Sequence, residues 1–208
     1  HGSCIRYTAI GRAYEGLLSH VQEALREARR EIGFTHVKFH GGFHDDMVSL
    51  KVDNVGTIHY SWRLVDALFD FLLSVGLRPF MELTYMPTLL ASGSETVFAW
   101  HGNITPPANI KAWTELVRAL VRHCVQRYGQ EEVEKWYFEV WNEPDFAGVS
   151  WTGDEQEFFR FFAATVKAVK AECGDAKGCG PSSTSVGIVQ RKWVFPLSPI
   201  HNLRCQRT

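Results

Sequence analysis

A short aromatic segment of the sequence carries the residue types that acid catalysis needs. Residues 136–145 read WYFEVWNEPD, so Asn142 and Glu143 follow an apolar run and precede Pro144. Among aromatic rings a carboxylic acid is desolvated, which raises its pKa and keeps it protonated near neutral pH as a general acid. Cleavage of a glycosidic bond requires such a donor, and a neighbouring amide can bind a sugar hydroxyl. The structural alternative is that Glu143 only caps its loop through backbone amides.

The rest of the chain predicts alternating helices and strands that would position this segment. Apolar residues at helical spacing predict four helices, near 17–32, 64–73, 106–128 and 158–169. Short apolar runs predict five strands, near 4–10, 35–40, 77–83, 136–141 and 177–180. Pro106 and Pro107 are expected to open the third helix.

This alternation is typical of parallel βα units, in which helices cover a buried sheet. No glycine-rich phosphate-binding loop follows any predicted strand, so we favour a (β/α)₈ barrel of the TIM type over an open doubly wound sheet. The chemistry of such barrels lies in the loops after the strands, here residues 41–59, 84–107 and 142–154. Glu143 is therefore expected at the C-terminal end of the sheet.

Composition and charge exclude several classes of partner. The 22 basic and 23 acidic residues give a formal net charge of -1, which provides no basic field for nucleic acid or an anionic membrane. The longest apolar stretch, residues 64–77, is interrupted by Asp66 and Asp70, whereas a membrane span needs about 20 apolar residues. The chain begins at His1 without a basic and apolar leader. We expect a neutral ligand and neither a nucleic acid nor a membrane partner.

Cysteine and histidine spacing predicts neither a disulfide framework nor a metal site. The five cysteines are odd in number and show no CxxC spacing, which favours a reducing, cytoplasmic location over a secreted one. His36, His40 and His44 lie four residues apart, but they would converge on a metal only in a helix, and a strand followed by two glycines is predicted there. We expect no cofactor. The sequon at 103–105 would matter only in a glycosylating host.

Several motifs together resemble glycoside hydrolase family 39, and its β-xylosidase branch in particular. They are WNEP at 141–144, GRA at 11–13, FHG at 39–41, DDM at 45–47, RPFMEL at 78–83, MP at 86–87, ASG at 91–93, NITPP at 103–107 and RYG at 127–129. The resemblance runs in family order over about residues 4–186. It implies a retaining glycosidase that hydrolyses β-xylosidic bonds of xylo-oligosaccharides. The alternative is a non-catalytic sugar-binding or vestigial barrel fragment.

The resemblance also implies roles for individual residues. Glu143 would be the acid/base, Asn142 its sugar-binding partner and His40 part of the sugar subsite. Lys38 stands where the family usually has an arginine that helps to hold the nucleophile ionised, and lysine keeps the charge but loses the two-pronged donor. The alternative is that Lys38 is a solvated strand-end residue. Trp100 and Trp151, on loops at the active face, are candidates for stacking on a sugar ring.

The second carboxylate of a retaining enzyme lies about 5 Å from the first, and this family takes it from the seventh strand. The chain ends 65 residues after Glu143, and its strand spacing leaves room for about five βα units. We therefore expect a truncated barrel over residues 1–187, an atypical tail over 188–208, and self-association through the exposed sheet edge. Glu82 and Glu139 are in-chain candidates for the second carboxylate, although we expect them to satisfy buried polar neighbours.

Overall fold

A five-stranded parallel sheet forms the centre of the structure, a computed structural model that describes residues 7–146 and 148–180. In order across the sheet, the strands are β1 (Tyr7–Arg12), β2 (His36–His40), β3 (Arg78–Glu82), β4 (Tyr137–Glu139) and β5 (Lys177–Cys179). Every neighbouring pair is parallel. The sequence predicted all five strands, with bounds that differ by a few residues. In the described part of the chain the outer strands β1 and β5 each pair on one side only, and no closed barrel forms.

Helices follow the strands in the predicted alternation. They are α1 (Ser19–Ile32), α2 (Arg63–Ser74), α3 (Ile110–Tyr128), the short α4 (Gln130–Val133) and α5 (Glu155–Glu172). Three 3₁₀ turns add Ala13–Leu17, Asp45–Met47 and Thr88–Leu90. No helix in the described residues is both long and apolar enough to cross a membrane.

The third helix begins later than predicted. Asn109 is its N-cap, because its side-chain oxygen accepts hydrogen bonds from the backbone N–H groups of Lys111 at 2.9 Å and Ala112 at 3.3 Å. Pro106 and Pro107 belong instead to the preceding loop, where Pro107 forms an isolated bridge with Ala91. The two prolines therefore precede the helix and do not form its first turn.

The core lies between the sheet and its helices and is rich in aromatic residues. Its largest fully buried side chains include Trp113, Trp136 and Phe39. The indole N–H of Trp113 on α3 donates to the Thr165 hydroxyl on α5 at 2.8 Å, so the two long helices are joined by a satisfied buried polar pair. Cys124 and Cys173 are buried free thiols.

Two loops that follow strands contain small hairpins of their own. Leu50–Val52 pairs with Ile58–Tyr60 after β2, and Thr96–Val97 pairs with Gly102–Asn103 after β3. The predicted tail over 188–208 and the predicted boundary at 187 lie outside the described residues.

Asn103 fixes the loop after β3. Its side-chain N–H donates to Gly93 O at 2.9 Å, and its side-chain oxygen accepts from Thr105 N at 2.9 Å and Thr105 Oγ1 at 2.7 Å. Asn103 is only 5% exposed. Both polar residues of the sequon are therefore used in packing the loop against itself.

We expect Asn103→Ala to lower the free energy of unfolding by about 1–3 kcal/mol, because Gly93 O and the Thr105 groups lose buried partners. Urea titration followed by circular dichroism measures the change. Asn54→Ala, at an exposed turn position, is the matched control and should change stability by less than about 0.5 kcal/mol. Equal effects of the two substitutions would contradict the role of Asn103.

Candidate active site

The polar residues predicted from sequence gather at the C-terminal end of the sheet, together with Arg12, which the sequence did not single out as a site residue. Arg12 ends β1 beside His40, which ends β2, and Glu82 ends β3 opposite Glu139 of β4. Asn142 and Glu143 follow β4 directly and are half-buried. Parallel strands end on the same side of a sheet. The ends of β1, β2, β3 and β4 and the turn after β4 therefore bring polar groups to one place.

The turn after β4 is held in an unusual backbone conformation. Trp141 and Glu143 have φ angles of 70° and 48°, in the left-handed region that non-glycine residues seldom occupy. Hydrogen bonds hold the turn: the Trp141 indole donates to Ser150 O at 2.7 Å, and the Ser150 hydroxyl donates to Asn142 O at 2.5 Å. Such strain persists only where the surroundings impose it, and it clusters at functional sites.

A buried tyrosine supports Asn142. The Tyr85 ring lies in the loop after β3, and its hydroxyl shares a hydrogen bond with the Asn142 side chain. Burial, followed by the charge of Glu82, raises the pKa of Tyr85, and the hydrogen bond to Asn142 opposes this shift. Tyr85 is therefore a neutral phenol that orients the amide of Asn142.

Lys38 is the centre of an ion triad that spans three strands. Its Nζ atom lies 3.0 Å from Glu82 Oε1 on β3 and 2.8 Å from Glu139 Oε2 on β4. All three side chains are largely buried, so Lys38 is not the solvated strand-end residue of the alternative hypothesis. Glu82 and Glu139 do satisfy a buried polar neighbour, as the sequence predicted.

The pKa values of both Lys38 and Glu82 are raised in this triad. Burial disfavours the charged form of Lys38, but the two carboxylates outweigh burial and raise the pKa of Lys38. Burial is the largest cause of the shift at Glu82; Lys38 opposes it, Glu139 and Glu143 add to it, and the pKa of Glu82 rises to about 7. Glu82 therefore exchanges its proton near neutral pH.

His40 lies in an aromatic stack. Its ring is nearly parallel to Phe98 at a centroid distance of 5.9 Å and to Trp100 at 5.6 Å. Burial, followed by the charges of Lys38 and Arg12, lowers the pKa of His40 to about 4. The imidazole is thus neutral at physiological pH, and it can donate one hydrogen bond to a neutral ligand or accept one from it.

The three histidines at four-residue spacing, His36, His40 and His44, do not converge on one point. His36 Nε2 bonds to Lys135 O at 3.0 Å, whereas His44 Nδ1 lies 2.9 Å from Asp46. In the described ranges, 7–146 and 148–180, no three His, Cys, Asp or Glu residues are grouped to hold a metal ion.

Comparison with known proteins decides the family. The family model described as "Glycosyl hydrolases family 39" matches residues 2–195. The chain belongs to glycosyl hydrolases family 39. The match extends beyond residue 187, at which we predicted that the family-like segment ends.

Relatives within family 39 are considerably longer than this chain. A beta-xylosidase of Caldicellulosiruptor saccharolyticus is 38% identical over 182 residues, which cover 88% of this chain and 36% of that protein. An alpha-L-iduronidase of Homo sapiens is 32% identical over 142 residues, covering 67% of this chain and 20% of that protein. The solved structure of a monomeric beta-xylosidase from Caulobacter crescentus matches with a TM-score of 0.84 at 33% identity, covering 90% of this chain and 38% of that one.

The two tryptophans predicted to stack on a sugar differ in their surroundings and burial in this family 39 chain. Trp100 lies beside His40, with the Arg12 guanidinium 5.1 Å from its ring centroid. Trp151 is 0% exposed and packs at 5.1 Å against Trp141, so its ring face is not available and the prediction is wrong. The loop that carries Trp151 folds back onto the core, where the ring supports the strained turn.

Sequence reasoning missed Phe98. This residue is 51% exposed and stacks on Trp100 at 5.2 Å, at the open end of the His40 stack. Its φ angle of 63° places it in the turn of the hairpin after β3. The spacing of two residues from Trp100 was the available signal, but only the hairpin brings both rings against His40.

We expect Glu82→Gln to change stability in a pH-dependent way. The unfolded carboxyl group ionises near pH 4.5 and the folded one near pH 7, so the wild type loses stability as pH rises through this window, whereas the variant has no proton to lose there. Relative to wild type, the free energy of unfolding of the variant should rise by about 3 kcal/mol between these pH values and stay level above them. Urea titrations across the pH range measure the difference.

The exposed Glu131→Gln is the matched control and should show a constant difference from wild type. A Glu82→Gln difference that does not vary with pH would show that Glu82 is already ionised throughout this window.

Proposed function

We propose that this chain is the N-terminal part of the catalytic barrel of a retaining glycosidase that hydrolyses β-xylosidic bonds of xylo-oligosaccharides. Glu143 is the acid/base, and Asn142 and His40 bind the sugar. The observation that carries the proposal is the strained turn that holds Asn142 and Glu143 at the C-terminal end of the sheet. A neutral histidine, His40, and its aromatic stack lie at the same end. Beta-xylosidases at 38% and 36% identity support the choice of sugar.

The proposed residues divide the chemistry of the first step. The Glu143 carboxyl donates its proton to the glycosidic oxygen as the bond to the anomeric carbon breaks, the leaving alcohol departs neutral, and the nucleophilic carboxylate bonds to that carbon. In the second step water attacks the anomeric carbon, the bond to the nucleophilic carboxylate breaks, and Glu143 takes a proton from that water. The Asn142 amide, oriented by Tyr85, binds a sugar hydroxyl and strengthens that bond as positive charge develops on the ring.

The nucleophile is proposed to come from outside the described residues. Glu82 and Glu139 each lie within 3.0 Å of Lys38, so both carboxylates are already engaged in the ion triad. The role of Lys38 in this chain is then charge compensation for two strand ends rather than a two-pronged grip on the nucleophile.

The 208-residue chain alone should release little or no aryl alcohol from an aryl β-xyloside. A positioned acid contributes about 10² to 10⁴-fold, far below the accelerations of at least about 10⁶-fold typical of enzymes. Absorbance of the released phenol measures turnover, and sedimentation velocity on the same sample tests the proposed self-association through β1 and β5. Enzyme-like hydrolysis that is lost in Glu143→Gln would place the second carboxylate in this chain or in a second copy.

In the longer protein that the proposal requires, Glu143→Gln should lower kcat/KM by about 10² to 10⁴-fold for a xyloside with a poor leaving group. For a dinitrophenyl xyloside, whose leaving group needs no proton, the first step should be almost unaffected. Steady-state and burst kinetics separate the two steps, and NMR of the first-formed product should show retained configuration.

Glu131→Gln, on the exposed surface, is the matched control for these kinetics. Equal loss on both xylosides would remove the acid role from Glu143, and binding of xylo-oligosaccharide without hydrolysis would favour a non-catalytic sugar-binding protein.

A further inference from the structure

One carboxylate oxygen at the site is not explained by the ion triad. Glu82 Oε1 faces Lys38, whereas Glu82 Oε2 is buried and has no hydrogen-bond partner in the part of the chain that the structure describes. A buried polar atom without a partner is costly, so native structures almost always provide one. The ring nitrogen Nδ1 of His40 lies 3.8 Å from Oε2. Rotation of the Glu82 carboxyl group would shorten this distance while the His40 ring stays in place, and such contacts are often long before a ligand binds.

The ring plane of His40 is fixed, but the position of its proton is not. Phe98 and Trp100 stack on the imidazole at 10° and 23° to its plane, and Tyr85 packs edge-on at 5.6 Å. These contacts resist rotation of the ring. A neutral imidazole still has two tautomers, and the hydrogen bond made by one nitrogen decides which is present.

We propose that Glu82 is a positioning residue that sets the tautomer of His40 and thereby decides whether His40 Nε2 donates to a sugar hydroxyl or accepts from it. When Glu82 is protonated, its O–H donates to Nδ1, so the ring proton is on Nε2. When Glu82 is ionised, it accepts from Nδ1–H, so Nε2 presents a lone pair. The contact of Nε2 with sugar rests on the proposed function, whereas the link between Glu82 and the tautomer does not.

The charges around Glu82 place this exchange near neutral pH. The pKa of Glu82 is raised to about 7 and that of His40 is lowered to about 4, so the proton on Glu82 changes while His40 stays neutral. The titratable groups that face Glu82 from the packed elements are Lys38 and His40 of β2, Glu139 of β4, Glu143 after β4 and Tyr85 after β3. Arg12 of β1 acts on His40.

Nitrogen NMR of the full 208-residue chain tests the proposal without any assay of activity. The chain has nine histidines, so the His40 ring signals are assigned by their loss in His40→Gln. In the wild type, Nδ1 and Nε2 should exchange pyridine-like and pyrrole-like shifts with a midpoint near pH 7. If both nitrogens keep their character from about pH 5.5 to about pH 8.5, the proposal is overturned without recourse to a variant.

Two isosteric variants separate tautomer control from general electrostatics. Glu82→Gln should abolish the transition, because the amide does not titrate. Glu139→Gln is the matched control: it alters the same ion triad and should keep the transition with a lower midpoint, since one charge that repels the Glu82 carboxylate is removed. A transition that survives in Glu82→Gln would overturn the proposal, whereas absence of xyloside hydrolysis would bear only on the proposed function.

Discussion

The buried charge of Lys38 is the constraint on which the rest of the site depends. A single ammonium on β2 holds carboxylates on β3 and β4 within 3.0 Å, so three strand ends are tied together in a region with little water. Removing Lys38 would leave two buried carboxylates without their cation, which is far more destabilising than loss of an exposed ion pair. Glu82 in turn lies 3.8 Å from His40 Nδ1, and the charge of Lys38 contributes to the lowered pKa of His40.

Aromatic packing performs the complementary task of fixing geometry. Trp151 packs against Trp141, and the Trp141 indole donates a hydrogen bond to Ser150 O. Both contacts support the left-handed turn that carries Asn142 and Glu143. On the other side of the site, Phe98 and Trp100 hold the ring of His40. The charged side chains of the site therefore come from the strand ends, whereas aromatic rings of the loops restrict the orientations of these side chains.

The chain belongs to glycosyl hydrolases family 39 and spans 36% of the length of a beta-xylosidase that it matches. Five parallel strands and the loops after them carry the proposed acid and the proposed sugar-binding residues, and the sheet stays open in the described residues. A retaining mechanism needs carboxylates on both sides of the anomeric carbon. In the proposed function, the nucleophile that complements Glu143 would come from another strand of the barrel.

The sequence by itself determined the order of strands and helices, the parallel sheet and the place of Asn142 and Glu143 after β4, because these follow from local periodicity and from the breaking effect of proline. It did not determine the partners of Lys38, the burial of Trp151 or the stacking of Phe98 on Trp100. Those contacts join residues far apart in the chain or depend on loop paths, and only strand register and loop packing bring them together. The tertiary structure therefore decided which side chains compensate charge, which support the core and which line the candidate site.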